Sequence, residues 1–207
     1  MFHEGSYGNQ QFSQQQAAPQ QGTAQWGAHE AMQVHESLSS LINGINNFQL
    51  YRPHIRDQQL MSILDRQINE IQNHYQNLTN YVHNQGMHAA EPLRGPSMSS
   101  IKYGLHNPSP IQPKTNPGEL DDRDVASAML SADKACSLVC SISSLECADA
   151  NLRQMVTSCA IACNNMAYEV FQYMNQKGYY QVPTMMSKTT NTMVQSYQPV
   201  SNPGTQF

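Results

Sequence analysis

Residues 57–86 of this chain are written a second time at 149–178. Asp57-Gln58-Gln59-Leu60 is matched by Asp149-Ala150-Asn151-Leu152, Ile63-Leu64 by Met155-Val156, Leu78 by Val170, and 81–86 by 173–178, all at an offset of 92. Upstream, Ala31-Met32 is matched by Ala128-Met129 at an offset of 97, so the first copy has about five more residues at its bend. Each copy reads as two amphipathic helices. One such hairpin cannot bury its apolar stripe alone, so the two must pack on each other. The expected fold is all-α: a four-helix bundle made of two tandem helical hairpins.

Apolar spacing supports this helix by helix. From about His29, Val34, Leu38, Leu41, Ile45 and Phe48 alternate by four and three, until Arg52-Pro53 stops the run by pushing the residue before proline out of helical geometry. Gly44 within that run weakens it by about 1 kcal/mol relative to Ala. Asp57 is the expected N-cap of a second helix carrying Leu60, Leu64, Ile68, Ile71, Tyr75, Leu78 and Val82 and ending near Gly86. Prolines at 92, 96, 108, 110, 113 and 117 forbid a long helix next. Asp121-Asp122 suit the positive start of a third helix, with Val125, Met129, Ala132, Cys136, Val139, Cys140 and Cys147 on one side. Leu152, Met155, Val156, Cys159, Cys163, Met166, Val170 and Met174 form the stripe of a fourth, closed by Lys177-Gly178.

The organisation read from this is a disordered Gln-rich arm at 1–26, a first hairpin at 27–86, a proline-rich crossover at 87–120, a second hairpin at 121–180 and a flexible tail at 181–207. Residues 27–180 together make one bundle. The arm holds eight Gln and no apolar periodicity, so it cannot repay its own ordering entropy.

A net charge of -4 gives no basic footprint for nucleic acid. The opening MFHEGSYGNQQF lacks the basic and apolar regions of a leader, and no apolar run approaches the roughly 18 residues of a membrane span, so synthesis in the cytoplasm is expected. Neither a P-loop nor a Rossmann glycine pattern is present, and no His accompanies the Ser and Thr of the third and fourth helices. The expectation is a protein that is not an enzyme and uses no cofactor. Asn77-Leu78-Thr79 has the glycosylation pattern but reads as a helix segment. The twelve Met read as adaptable core filling.

Two short bends and one long crossover describe the ferritin-like order of a bundle, a fold known for binuclear metal sites. Such a site needs a Glu from each of two helices and Glu-x-x-His on each of the others. Every His here lies at or before position 106, and Glu70 and His74 are spaced by four, with Ile71 where Glu is required. His29, Glu30, His35 and Glu36 read as a solvated or capping cluster on the first helix. Ferroxidase chemistry is rejected.

At this point the residues resemble a known family. Lys134 in the middle of the third helix, Glu146 before the bend, Leu152-Arg153 after it, and Tyr173-Met174 leading to Lys177-Gly178-Tyr179-Tyr180 are similar to the Coat F domain of endospore coat proteins from Bacillus-type bacteria. That family more often has Gly-Trp-Tyr at the last position, so Tyr179 departs from it. The first hairpin resembles the forward half of larger Coat F-like proteins, and the likeness spans about 115 residues. It implies a ferritin-like fold in a structural protein of the spore coat, with other spore coat proteins as partners and no catalytic residue to carry over. A homo-oligomer remains open.

All five cysteines lie between 136 and 163. In an antiparallel hairpin centred between 149 and 150, Cys136 sits level with Cys163 and Cys140 level with Cys159, beside the small residues Ala135, Ser137, Ala160 and Ala162. Three readings stand: buried small hydrophobes at the seam, two inter-helix disulfides, or a four-thiolate site for zinc or a soft ion such as Cu(I). The third would make the chain a cytosolic thiol-based metal-binding bundle instead of a coat block. Cys147, the odd thiol near the bend, is the candidate for an intermolecular bond.

Overall fold

Capping side chains decide where each helix begins. The computed structural model describes residues 26–83 and 100–199. Helix α1 spans Ala28–Tyr51, α2 Gln58–Val82, α3 Asp122–Glu146 and α4 Ala150–Gln176, and a nine-residue α5, Ser187–Gln195, follows. Asp57 accepts from the backbone N–H of Gln59 and Leu60 at the start of α2. Asp121 accepts from Arg123 and Asp124 N–H at the start of α3, and Asp149 from Leu152 N–H at the start of α4. Each thereby satisfies donors that the first turn leaves without a helical partner. Arg52–His54 forms a single 3-10 turn at the first bend, with Pro53 near its start.

Cross-links between helix ends fix the directions. Asp122 at the head of α3 accepts from the N–H of Arg56 and Asp57 at the head of α2, at 2.7 and 3.1 Å, so these two helices are parallel. The crossover therefore returns the full length of the bundle. Glu30 at the head of α1 accepts from Asp149 N–H at the head of α4, at 2.8 Å, and these are parallel too. Around the bundle the neighbours run α1, α2, α4, α3, every adjacent pair antiparallel. This is the ferritin-like order.

The repeat is visible as pseudo-symmetry. Tyr81 donates to Asp149 Oδ1 at 2.7 Å. Its counterpart Tyr173, fully buried, lies beside Asp57, the counterpart of Asp149; burial and the Asp57 and Asp122 carboxylates push its phenol up. Each hairpin thus reaches from the end of its second helix to the N-cap of the other's.

One continuous core runs between the four helices, including Leu41, Phe48, Leu60, Ile63, Leu64, Met129, Leu152, Val156, Met166 and Tyr173. Gly44 lies against Ile71, where an added Cβ would meet Cδ1 at 3.6 Å, an ordinary contact. The third stripe differs from its expected membership: Leu130, Asp133 and Ser143 are buried, while Val139 and Cys147 are only half-buried. The polar pair has a use in Ser143, which accepts from Ser37 Oγ at 3.0 Å and donates to Gln33 Oε1 at 3.0 Å, joining α3 to α1.

α4 stops at Gly178, whose φ of +75° only glycine adopts without strain. The turn folds Tyr179 onto Tyr173 and Tyr180 onto Phe171, edge to face, with centroids 6.3 and 5.2 Å apart. The described part of the crossover lies on this end: Asn175 bonds both backbone groups of Lys102, and Gly104 N–H reaches Val182 O at 2.8 Å. The arm at 1–25 and residues 84–99 and 200–207 lie outside the described residues. Trp26, read as part of the arm, packs edge-on to Tyr81 at 5.7 Å. Within the tail, α5 has no buried residue.

Candidate functional site

The α3–α4 seam is narrow because its residues are small. Ser137 Oγ reaches across to Ala160 O at 3.1 Å, a contact possible only where two helix backbones approach closely. In that gap Cys136 Sγ lies 2.8 Å from Cys163 Sγ, and Cys140 Sγ lies 3.3 Å from Cys159 Sγ. The level pairing drawn from sequence is thus the pairing of the sulfurs. All five cysteines are free; Cys140, Cys159 and Cys163 are buried and Cys136 partly so.

The four thiols act on one another. Cys136, Cys159 and Cys163 draw the Cys140 thiol well below its ordinary value, because S–H donors solvate its anion. Cys136 and then Cys140, with burial, push Cys159 and Cys163 well above theirs. Cys147 stands apart: its Sγ donates to Ser143 O at 3.2 Å, and burial, then Glu30 and Asp149, push it up to about 11. A thiol held so far above neutral pH is a slow nucleophile, which works against its expected role in an intermolecular bond.

Beside the cluster lies a cavity of about 150 Å³, lined by Cys136, Cys163, Met166, Asp133, Ile71 and Gly44 among others. Asp133 is almost fully buried and its Oδ2 has no hydrogen-bond partner. Burial, then Cys136 and Glu169, raise it well above the usual carboxylate range. Asp133 escaped the sequence reading. Its signal was phase, since it sits four residues after Met129 on the apolar stripe.

Glu169 pairs with the Arg66 guanidinium and accepts from Gln67 Nε2 at 3.2 Å, tying α4 to α2. His74 Nε2 lies 3.2 Å from Glu70 Oε1, and burial, opposed by Glu70, lowers its pKa so that the ring is neutral. Of the cluster read at the head of α1, His29, His35 and Glu36 are exposed; Glu30 is buried and caps, accepting from Gly27 N–H as well as from Asp149 N–H. Among the described residues, the one group of three or more ligand-type side chains whose donor atoms lie within 4.8 Å of one another is Cys136, Cys159 and Cys163.

Fold and site together define an all-α, ferritin-like bundle with four thiols gathered in the α3–α4 seam. Residues 121–183 match the Coat F domain. Over 201 residues, covering 91% of each chain, this protein is 30% identical to the spore coat protein F-like protein YhcQ of Bacillus subtilis (strain 168). Its fold is similar to that of a candidate spore coat protein, BH2358 of Bacillus halodurans C-125, with a TM-score of 0.58, 16% identity, and coverage of 78% of this chain and 96% of that one. The chain belongs to the Coat F family, which places it among the proteins of the spore coat.

Proposed function

We propose that this protein is a non-enzymatic building block of the endospore coat, made in the cytoplasm of the sporulating cell and assembled with other coat proteins. The observation that carries this reading is the 30% identity to a spore coat protein F-like relative across 91% of both chains. The surface fits an assembly role. On α3, Leu138, Ile142 and Leu145 are exposed on one face, Leu138 at 66% and Leu145 at 78%, with Ile161 and Tyr168 of α4 beside them. Exposed apolar residues gathered on one face mark contact surfaces.

That stripe also accounts for the hydropathy of α3, whose mean reaches 1.3 over 18 residues. Its apolar side chains are shared between the core and an outer contact face, while Asp133 and Lys134 interrupt the middle. The non-enzymatic reading is supported by the pairing of Glu169 with the Arg66 guanidinium.

Fractionation of spores and vegetative cells tests the reading. The protein is expected in coat extracts of spores, and cross-linking in intact spores is expected to join it to other coat proteins. Equal amounts in vegetative cytosol and coat extract would overturn it.

A further inference from the structure

Nothing in the coat reading uses the four thiols. Two Cys-x3-Cys pairs present sulfurs one turn apart on facing helices, so the Cys136–Cys163 and Cys140–Cys159 pairs lie on adjacent levels of the seam. A triangle of sulfurs with sides of about 4 Å surrounds an ion at a metal–sulfur length of about 2.3 Å. The sulfurs of Cys136, Cys159 and Cys163 bracket that size, with 2.8 Å between Cys136 and Cys163 and every separation within 4.8 Å. Cys140 Sγ stands 3.3 Å from Cys159 Sγ, as a fourth donor. The Met166 thioether and the unpartnered Asp133 Oδ2 line the adjoining cavity.

We propose that Cys136, Cys140, Cys159 and Cys163 form a binding site for a soft monovalent cation of the Cu(I) type inside this coat protein, with Met166 as an adjacent soft donor. Thiolate and thioether sulfur select Cu(I) over the hard ions that take oxygen ligands. Charge argues for a monovalent ion. Two of the four sulfurs bind Cu(I) as thiolates, any proton they carry passing to solvent, which leaves Cu(SR)2 with one negative charge and two thiols still protonated; no electron moves, because the metal enters and stays as Cu(I). Zn(II) on four thiolates would leave two negative charges in the same buried space, and burying charge is costly. The ligands come from both helices, so the bound ion would join α3 to α4. The site does not rest on the coat assignment, since its ligands and geometry are those of the isolated chain.

The test uses the full chain, purified without oxygen under a thiol-free reductant and titrated with Cu(I) held by a chromophoric competitor. The chain is expected to withdraw at least one Cu(I), with ultraviolet thiolate-to-copper absorption and a higher melting temperature. Cys136→Ser with Cys163→Ser should weaken uptake by more than about tenfold, while Cys147→Ser leaves it unchanged. Failure of the folded natural chain to withdraw Cu(I) overturns the proposal, whatever the variants do. Preference for Zn(II) over Cu(I) overturns the choice of ion. A natural chain isolated from spores four mass units light, with Cys136–Cys163 and Cys140–Cys159 joined and no copper, overturns it in favour of oxidation by peroxide, in which each thiol pair loses two hydrogens as hydrogen peroxide becomes two waters.

Discussion

Leu64 and Val156 occupy the same place in the two halves of the repeat, and both are buried in the core. Leu64→Ala should therefore cost about 2 to 5 kcal/mol; a loss below about 0.5 kcal/mol in denaturant melts would contradict its core position. At this scale the apolar residues were legible because period and burial agree. The buried polar residues were not. Asp133, Glu169 and Gln67 have partners or neighbours on other helices, which spacing along one helix cannot reveal. Their titration has consequences. Lys177, then the N-cap bonds, hold Asp57 below the ordinary carboxylate value, so its contribution is fully present above about 3.9 and is lost as pH falls through the lowered folded value. Asp133 runs the other way. Its folded value is raised, so its ionisation opposes the fold once pH exceeds the unfolded carboxylate value. Asp133→Asn should therefore stabilise the protein at neutral pH relative to pH 4, measured as the difference in denaturation midpoint; an equal effect at both would show that Asp133 is ionised in the fold.

Among elements, helix starts were the best-marked feature, because Asp57, Asp121 and Asp149 act locally on the next turn. Helix α1 starts differently. Its cap is Glu30 reaching back to Gly27 N–H, and the same carboxylate takes Asp149 N–H from the start of α4. Glu30→Ala should cost about 1 to 3 kcal/mol through the donors left unpaired, and a change within about 0.5 kcal/mol would show that water replaces them. Gly44 offers the opposite case. It sits in mid-helix with a negative φ, beside the cavity, and has ordinary contact distance to Ile71. Gly44→Ala should raise stability by about 1 kcal/mol; destabilisation in thermal melts would show that α1 and α2 need that close approach. The nine-residue α5 was missed because its apolar residues never form a sustained stripe, and it packs nothing into the core.

In the whole molecule, the repeat made the pairing of hairpins legible, and the crossover length made their order legible. The outer face of α3 was not, since Leu138, Ile142 and Leu145 read as part of an apolar helix until the bundle shows which side is covered. Leu138→Glu with Leu145→Glu should leave the melting temperature within about 2 °C while reducing incorporation of the protein into the coat, followed by immunoblot of coat extracts. Undiminished incorporation would move the assembly contact elsewhere. The reciprocal reach of Tyr81 to Asp149 and Tyr173 toward Asp57 has the form of a two-fold interface, patch against matching patch, with both copies on one chain. A tether holds such a partner at an effective concentration on the order of millimolar. Assembly of the bundle is therefore first-order and indifferent to dilution.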